Sequence, residues 1–544
     1  MTRQKPFVDP ITLEVLRHAL AAVSEEMNAN LIRSAYSPNI KERRDCSCAV
    51  FNRDGRMIAQ AESIPVHLGA MPFSVAAAIS KTDTFYPGDV IVLNDPYCGG
   101  AHLPDITFIA PVFVDGDLFA FVASRAHHAD VGGKEPGSVA GDTTEIYQEG
   151  LRIPPVRLWR EGHLDQDMTD LILLNVRTPG ERLGDLRAQH AACETGIARV
   201  QALANRFGSD LLENGMKAVM DYSERRMREQ ISELPDGMVI YEDHLDGDGI
   251  TGNPIPIRAS VTIDQETIRV DFTGTSPSVA GPVNAVYAVT ASATYFTIRA
   301  LTDPDIPPNA GCYRPIEIVA PQGSVVNADP PSPVVGGNLE TSQRIVDVIL
   351  GAFSKLCPER VIAACQGTMN NITIGGIDPR TGKPYALYET IGGGFGARPS
   401  RDGVDGVHSH MTNTLNTPVE ALENAYPLRV ERYELIQGSG GAGRYRGGLG
   451  IRRDITILDH AARVSLLTER RVSRPYGLNG GEPGAAGENV LIRDDEETPL
   501  PEKGTVTVRP GETVSLRTPG GGGYGASSER DPQAAERDRR EGRI

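Results

Sequence analysis

Near the start of the chain Leu16, Leu20, Val23, Met27 and Leu31 recur every three or four residues, the spacing that gathers them on one face of an α-helix. Asp9 caps this helix, Pro10 suits its first turn and Pro38 stops it. The period then changes. Ala49-Val50-Phe51 and Met57-Ile58-Ala59, around a turn at Asn52-Arg53-Asp54-Gly55, predict a hairpin, and the wholly apolar Val90-Ile91-Val92-Leu93 predicts a buried strand. A second hairpin pairs Ile106 to Val114 with Leu118 to Ala126 around Asp115-Gly116-Asp117. Leu183, Leu186, His190, Cys193, Ile197, Val200 and Ala204 form a helical stripe, and another helix runs from Asp210 past Met227. Pro235-Asp236-Gly237 closes it and is placed as the main boundary. Beyond it, Ile257 to Phe272 alternates as a hairpin around Asp264-Gln265-Glu266, and helices are expected over Ala285–Leu301 and Leu339–Phe353. The last third reads as strand and glycine turn, without an internal repeat. These elements predict an α+β protein of several layers: a mixed N-terminal part over 1–235, a β-rich C-terminal part over 236–525, and a mobile charged tail over 526–544.

Composition narrows the function classes. A chain of 544 residues has room for about two to four domains. Its net charge of −17 repels phosphate backbones and anionic lipid, so neither nucleic acid nor membrane is an expected partner. No apolar run approaches the ~18–20 residues that span a bilayer. Met1-Thr2-Arg3-Gln4-Lys5-Pro6 shows no secretory signal. Seven cysteines, scattered without a Cys-x-x-Cys pair, point to reduced thiols in the cytoplasm and exclude a disulfide scaffold or zinc ribbon. Cys46 and Cys48 read as packed residues of one strand. The 58 glycines and 39 prolines exceed ordinary usage and imply many tight turns and shaped loops.

Candidate chemistry concentrates in two segments, Asn94 to Asp105 and Arg125 to Asp130. His102 and Asp105 lie three apart on a turn that follows a buried strand. If Val114 faces Leu118 across the hairpin, counting outward sets Asp105 opposite His127, with Cβ atoms ~5 Å apart; a bulge at Pro111 would shift this by one. Neighbouring strand residues point to opposite faces, so His127 and His128 cannot share an ion. The outcome is a His–Asp–His cluster whose donors suit Zn²⁺, Mn²⁺ or Fe²⁺ better than Mg²⁺ or Ca²⁺. The plainer alternative is a set of hydrogen-bonded loop histidines.

Other residues are open to two readings. His67 lines a pocket or holds a loop. Glu145 and Glu149 supply a general base or an ordinary salt bridge. His128 and Asp130 are candidates to support metal-bound imidazoles from behind. His408 and His410 form a second site, or serve structure or a subunit contact. No Gly-x4-Gly-Lys phosphate loop occurs, and Gly392–Gly396 and Gly520–Gly523 lack a strand–helix context, so close backbone packing explains them better. Gly336-Gly337-Asn338 either binds an anion ahead of a helix or caps it through Asn338.

Several strings together carry a resemblance: Asn39-Ile40-Lys41-Glu42-Arg43-Arg44-Asp45-Cys46-Ser47, Pro65-Val66-His67-Leu68-Gly69-Ala70-Met71, Asn94-Asp95-Pro96-Tyr97, Gly99 to Asp105, His127 to Gly133, Gly336 to Gln343, and Ser439 to Gly450. From near residue 8 to near 526 the chain resembles the hydantoinase B family, the B-type subunits of ATP-dependent hydantoinases, 5-oxoprolinases and lactamases, with acetone and acetophenone carboxylases as relatives. The resemblance implies one divalent transition metal, zinc before manganese or iron, on Asp45, His102, Asp105 and His127; from the residue reading, His67, His128, Asp130 and Glu149 stand as catalytic candidates. Cys46 departs from the family's usual aromatic residue. The resemblance also implies a separate A-type partner that binds ATP and phosphorylates a small cyclic amide (hydantoin, 5-oxoproline or lactam), in a heterotetramer of two A and two B subunits. Two rival readings follow. One is a subunit of a biotin-independent ketone carboxylase, whose acetone-type relatives have longer B-type chains; the other is a non-catalytic scaffold with a structural metal.

Overall fold

The computed structural model describes residues 8–61 and 63–544, so Met1 to Pro6 and the expectation attached to them lie outside the described residues. The opening helix runs Pro10–Ser34, with the Asp9 carboxylate accepting from the N–H groups of Ile11 and Thr12. Its predicted stripe is buried against the helices Pro179–Phe207 and Ser209–Ser232.

These helices cover one face of an antiparallel sheet built from β1 (Cys46–Asn52), β2 (Met57–Gln60), β3 (Val90–Leu93), β4 (Asp105–Val114), β5 (Asp117–His127), β6 (Val156–Arg160) and β7 (His163–Leu164). The strand order is β2-β1-β5-β4-β3-β6-β7. Cys46, Cys48 and Val50 pack with Leu16, Leu20 and Met27 on the helical side, while Ala49 and Phe51 join a second core on the other side. The β4–β5 turn is one residue shorter than expected. Asp115 and Gly116 alone form it, both with positive φ (53° and 91°), as the twist of a two-residue hairpin favours. Val114 therefore faces Asp117, but a bulge between Val112 and Phe113 restores the register, and Asp105 does lie opposite His127.

A second sheet joins Gly237–Leu245, Ile255–Asp264, Thr267–Asp271 and Ile316–Val319, and the helix Ser342–Phe353 packs on its first two strands. Two further sheets contain Asn371–Ile377, Pro384–Glu389, Ala462–Leu467 and Lys503–Val508, and Leu428–Leu435, Ile451–Ile457, Glu488–Arg493, Glu496–Pro499 and Thr513–Arg517. They share one core, with Ile374 and Val464 of the former against Ile455, Val514 and Leu516 of the latter. The protein is thus the mixed α+β, multi-layer fold expected, with a β-rich C-terminal half.

Two features differ from the simplest reading. A helix does end at Ser232 and a strand does begin at Gly237, yet Phe51 and Phe121 of the first sheet lie in the same core as Ile257, Val261 and Ile345. Turn residues mark a chain reversal; they do not show whether cores on either side fuse. The tail expected to be mobile instead forms a helix, Pro532–Arg540, capped by Asp531. Arg530 spans Asp402 (2.8 Å) and Asp538 (3.0 Å), and Asp538 is 3% exposed. Its charges find partners in the body of the protein, which composition cannot reveal.

The glycine runs are packing devices, as read from the sequence. A Cβ on Gly520 would sit 1.9 Å from the Ser439 carbonyl oxygen, and one on Gly522 would sit 2.0 Å from that of Tyr476. Gly521 and Gly522 donate to the carbonyls of Gly448 (2.9 Å) and Ala364 (2.8 Å), so chain segments far apart in sequence touch backbone to backbone. Among the described residues no helix is long and apolar enough to cross a membrane.

A buried ionic network ties the helix Ser342–Phe353 to Asp243 of the second sheet and to residues of the last quarter of the chain. Glu469 meets Arg344 (3.1 Å) and Lys503 (2.6 Å), Arg470 meets Asp243 and Asp347 (2.7 Å each), and His410 meets Asp347 (3.2 Å). Beside it, Glu340 accepts from the Met369 N–H (3.1 Å) and the Asn371 amide (2.7 Å); burial, reinforced by Glu469, pushes its pKa up to about 8. Because that value lies above the ordinary 4.5, the folded chain retains a proton the unfolded chain has lost. Its contribution to stability is intact below 4.5 and lost as pH rises through about 8. Glu340→Gln is therefore expected to be nearly neutral at the acid side of this window and stabilising at the alkaline side, read as the difference in melting temperature from wild type. A difference that does not change across the window would contradict the assignment.

Candidate metal centre

The hairpin brings the ends of β4 and β5 together, and with them Asp105 and His127. His102, on the turn before β4, reaches Asp105 with Nε2 3.1 Å from Oδ1; His127 Nδ1 stands 3.4 Å from the same oxygen. One ligand atom from each of His102, Asp105 and His127 lies within 4.8 Å of the others. All three side chains are buried. His67, on the short helix Pro65–Leu68, places Nε2 3.4 Å from Asp105 Oδ2 and Nδ1 2.9 Å from the Ser47 hydroxyl. Burial opposes ionisation of Asp105, but His102 and then His67 beside it hold its carboxyl well below the usual range. Burial pushes His127 down, towards the neutral form in which imidazole binds metals.

Asp45 immediately precedes β1. Its backbone carbonyl accepts from the His127 N–H (3.0 Å), and its side chain lines the same cavity as His127 and Asp105, outside the tight group of three. The fit to a metal is supported by unmet donors. Both ring nitrogens of His102, both carboxylate oxygens of Asp105 and Nε2 of His127 are buried without a hydrogen-bond partner. Such concentration of unpaired polar atoms is costly in a closed interior. Two imidazoles and a carboxylate suit a divalent transition metal.

The surrounding layer comes from distant parts of the chain. Tyr388 stacks on His127, with centroids 4.3 Å apart and planes inclined by 11°, and donates its hydroxyl to Asn371 (3.0 Å). Arg43 donates to Asn39 (2.5 Å) and to the Tyr388 carbonyl (2.9 Å), and Asn39 donates to the His127 carbonyl (2.6 Å). The Asn39–Ser47 motif thus contributes a clamp as well as Asp45. Tyr388 and Thr390, which line or brace the cavity, escaped the sequence reading because no local pattern marks them.

Of the four catalytic candidates, His67 alone reaches the cluster. His128 points to the opposite face, as strand alternation requires, and bonds Gln189 of the helix Pro179–Phe207 (2.8 Å); burial takes its pKa down to about 4. Asp130 accepts from the N–H groups of Gly132, Gly137 and Arg177 and from the Arg177 guanidinium (3.0–3.1 Å), so it organises its own loop. Glu149 accepts from the Val334 and Val335 N–H groups and the Thr143 hydroxyl (3.1 Å each), with burial raising its pKa to about 7. It is neither in the cavity nor in a salt bridge; it fixes the approach to Gly336-Gly337-Asn338. There a π-turn, Gly337–Thr341, precedes the helix, and Asn338 caps nothing. His408 and His410 form no joint site: His410 joins Asp347, while both ring nitrogens of His408 are unpartnered and burial takes its pKa down to about 3.

The chain is 43% identical over 533 residues to an uncharacterised protein of Methanocaldococcus jannaschii, covering 96% of this chain and 92% of the other. It is 40% identical over 547 residues to 5-oxoprolinase 1 of Arabidopsis thaliana, covering 95% of this chain and 42% of that protein, so it spans about two-fifths of the plant protein's length. The crystal structure of the ATP-dependent caprolactamase from Pseudomonas jessenii aligns with a TM-score of 0.92 at 32% identity, over 99% of this chain and 94% of that one. Nucleotide-free acetone carboxylase shares the fold, with a TM-score of 0.87 at 20% identity over 98% and 78% of the two chains. The hydantoinase B/oxoprolinase family model matches residues 9–527, and the chain belongs to that family.

Proposed function

We propose that this chain is the metal-holding B-type subunit of an ATP-dependent amidohydrolase that opens a cyclic amide: a hydantoin, 5-oxoproline or a lactam. The observation that carries this reading is the buried His102–Asp105–His127 cluster with unmet donors, in a chain that shares its fold and 32% of its sequence with a caprolactamase along almost its full length. An amide carbon is a poor electrophile. Phosphorylation of its oxygen makes it attackable, and the sequence holds no phosphate loop for ATP. That step belongs to an A-type partner, in a complex of two A and two B subunits working in the cytoplasm.

His102, Asp105, His127 and Asp45 would hold the metal, with zinc the first assignment and manganese or iron the others. When bound, it supplies Lewis acidity or a water of lowered pKa, ~7. The chain's own residues do the positioning. Asp105 aligns the two imidazoles through one oxygen while His67 holds the other, Tyr388 fixes the plane of His127 by stacking, and the buried walls exclude water.

The test is co-purification with the A-type partner and assay of hydantoin, 5-oxoproline and simple lactams with ATP, each with and without bicarbonate. Ring opening that needs ATP but not bicarbonate is expected. Carboxylation of a ketone dependent on both ATP and bicarbonate would replace this reading with the carboxylase one.

A further inference from the structure

We infer that Asn338 reads the amide edge of the substrate at the metal cavity. The inference rests on the cyclic-amide reading above and concerns a residue which that reading does not assign.

The cavity beside the cluster measures about 20 Å³, room for a single water. Asp45, His67, Asp105 and His127 line it together with apolar side chains and a few polar ones. Most of the latter are already occupied. Thr390 and Thr414 bond each other (2.9 Å), Thr412 donates to the Ser409 carbonyl (3.1 Å), and Tyr388 donates to Asn371 (3.0 Å). Asn338 is different: it is 2% exposed, lines the cavity, and its carboxamide oxygen meets no donor.

Its placement is built rather than incidental. A Cβ on Gly337 would lie 1.9 Å from the Asn284 carbonyl oxygen, so the chain enters the π-turn against another backbone. Glu149 holds the two preceding N–H groups, Val334 and Val335. The π-turn inserts an extra residue into the start of the helix, a distortion that often marks functional sites.

The chemistry of the carboxamide fits the substrate class. An asparagine side chain carries an acceptor and a donor side by side. In a small ring the amide is held cis, so its nitrogen and oxygen lie along one edge and can pair with both. The carboxamide accepts from a ring N–H and donates to a ring nitrogen that has lost its proton. The ring-opened product of a lactam or of 5-oxoproline has no such edge. Ile64 lines both this cavity and a surface cleft of about 230 Å³ flanked by Gln60, Pro65, Phe296 and Asn413, and the proposal requires its side chain to move aside to admit the ring.

The test uses Asn338→Leu in the complex with the A-type partner, on whichever cyclic amide the wild type opens. Ring opening is expected to fall roughly 10- to 100-fold, the loss of a buried hydrogen-bonding partner, while metal content, melting temperature and ATP consumption by the partner stay near wild type. Asn338→Ala, smaller and better tolerated, is expected to show the same drop. Activity of both variants within about twofold of wild type overturns the inference, and so does loss of metal, which would make Asn338 a support of the metal site. A wild-type complex that opens no cyclic amide overturns the proposed function and this inference together; an active wild type with unaffected variants overturns this inference alone.

Discussion

Asp105→Ala is expected to assemble with its A-type partner, to carry no stoichiometric metal and to open no substrate ring. The carboxylate is the one group that both imidazoles face, at 3.1 and 3.4 Å, and its second oxygen is the one His67 approaches. Its removal deletes a ligand and leaves three buried imidazoles without the group that aligned them. Metal affinity should therefore fall by more than the ~10–100-fold typical of outer-shell changes. His127→Ala should behave alike, and Asp45→Ala more mildly, because Asp45 stands outside the tight group of three. Metal analysis of the purified complexes and ATP-dependent turnover read the two effects separately. Assembled variants that keep full turnover would sink the catalytic assignment, and loss of assembly with loss of metal would favour the scaffold reading.

The largest effect on stability is expected at Glu469. Its carboxylate is fully buried between Arg344 and Lys503, and it also accepts from the Asp246 N–H (3.0 Å). Glu469→Ala leaves the buried Arg344 with Asp243 alone (3.3 Å) and the buried Lys503 with the more distant Glu502 alone (3.6 Å), and removing one partner of such a set costs on the order of 3–5 kcal/mol. The exposed Glu488, 64% accessible and 3.2 Å from Arg517, provides the contrast: Glu488→Ala should stay within about 0.5 kcal/mol of wild type. Thermal or urea unfolding of both variants makes the comparison, and equal shifts would contradict it.

The core of the candidate metal site was legible because it is local. His102, Asp105 and His127 belong to one hairpin and its leading turn, so counting across the hairpin suffices, and the short turn and the bulge offset one another. Asp45 reached the site through the resemblance. Its structural cause is the β1–β5 pairing of Cys46 with Ala126, which sets it beside His127. Tyr388 could not be found this way: its carbonyl accepts from Arg43, 345 positions away in sequence, and nothing in the string around it distinguishes a cavity wall from an ordinary strand. Asn338 was visible, but only as part of an anion site ahead of a helix or as its cap, because periodicity does not distinguish an α-helical start from a π-turn. His128, Asp130 and Glu149 show the reverse. A polar residue beside a motif attracts a chemical reading, whereas each of these is buried and hydrogen-bonded to groups outside the cavity, which gives it a structural occupation. The tail illustrates the limit of composition, since Arg530 and Asp538 are paired in a region whose charge alone suggests solvent.

The interlocked glycine segments also constrain how the protein is made. Synthesis runs from the N-terminus, so the segments around Phe395, Gly448 and Glu482 emerge well before residues 519–523. Until that late segment arrives, the N–H of Gly394 lacks the Pro519 carbonyl and the carbonyls of Gly448 and Glu482 lack the N–H groups of Gly521 and Gly523. An unfinished chain therefore presents unsatisfied backbone next to half-built sheets, the state most prone to wrong pairing. Glycine at these positions makes the final threading sterically possible, and it also makes the C-terminal half the part of the molecule most in need of protection while the ribosome is still at work.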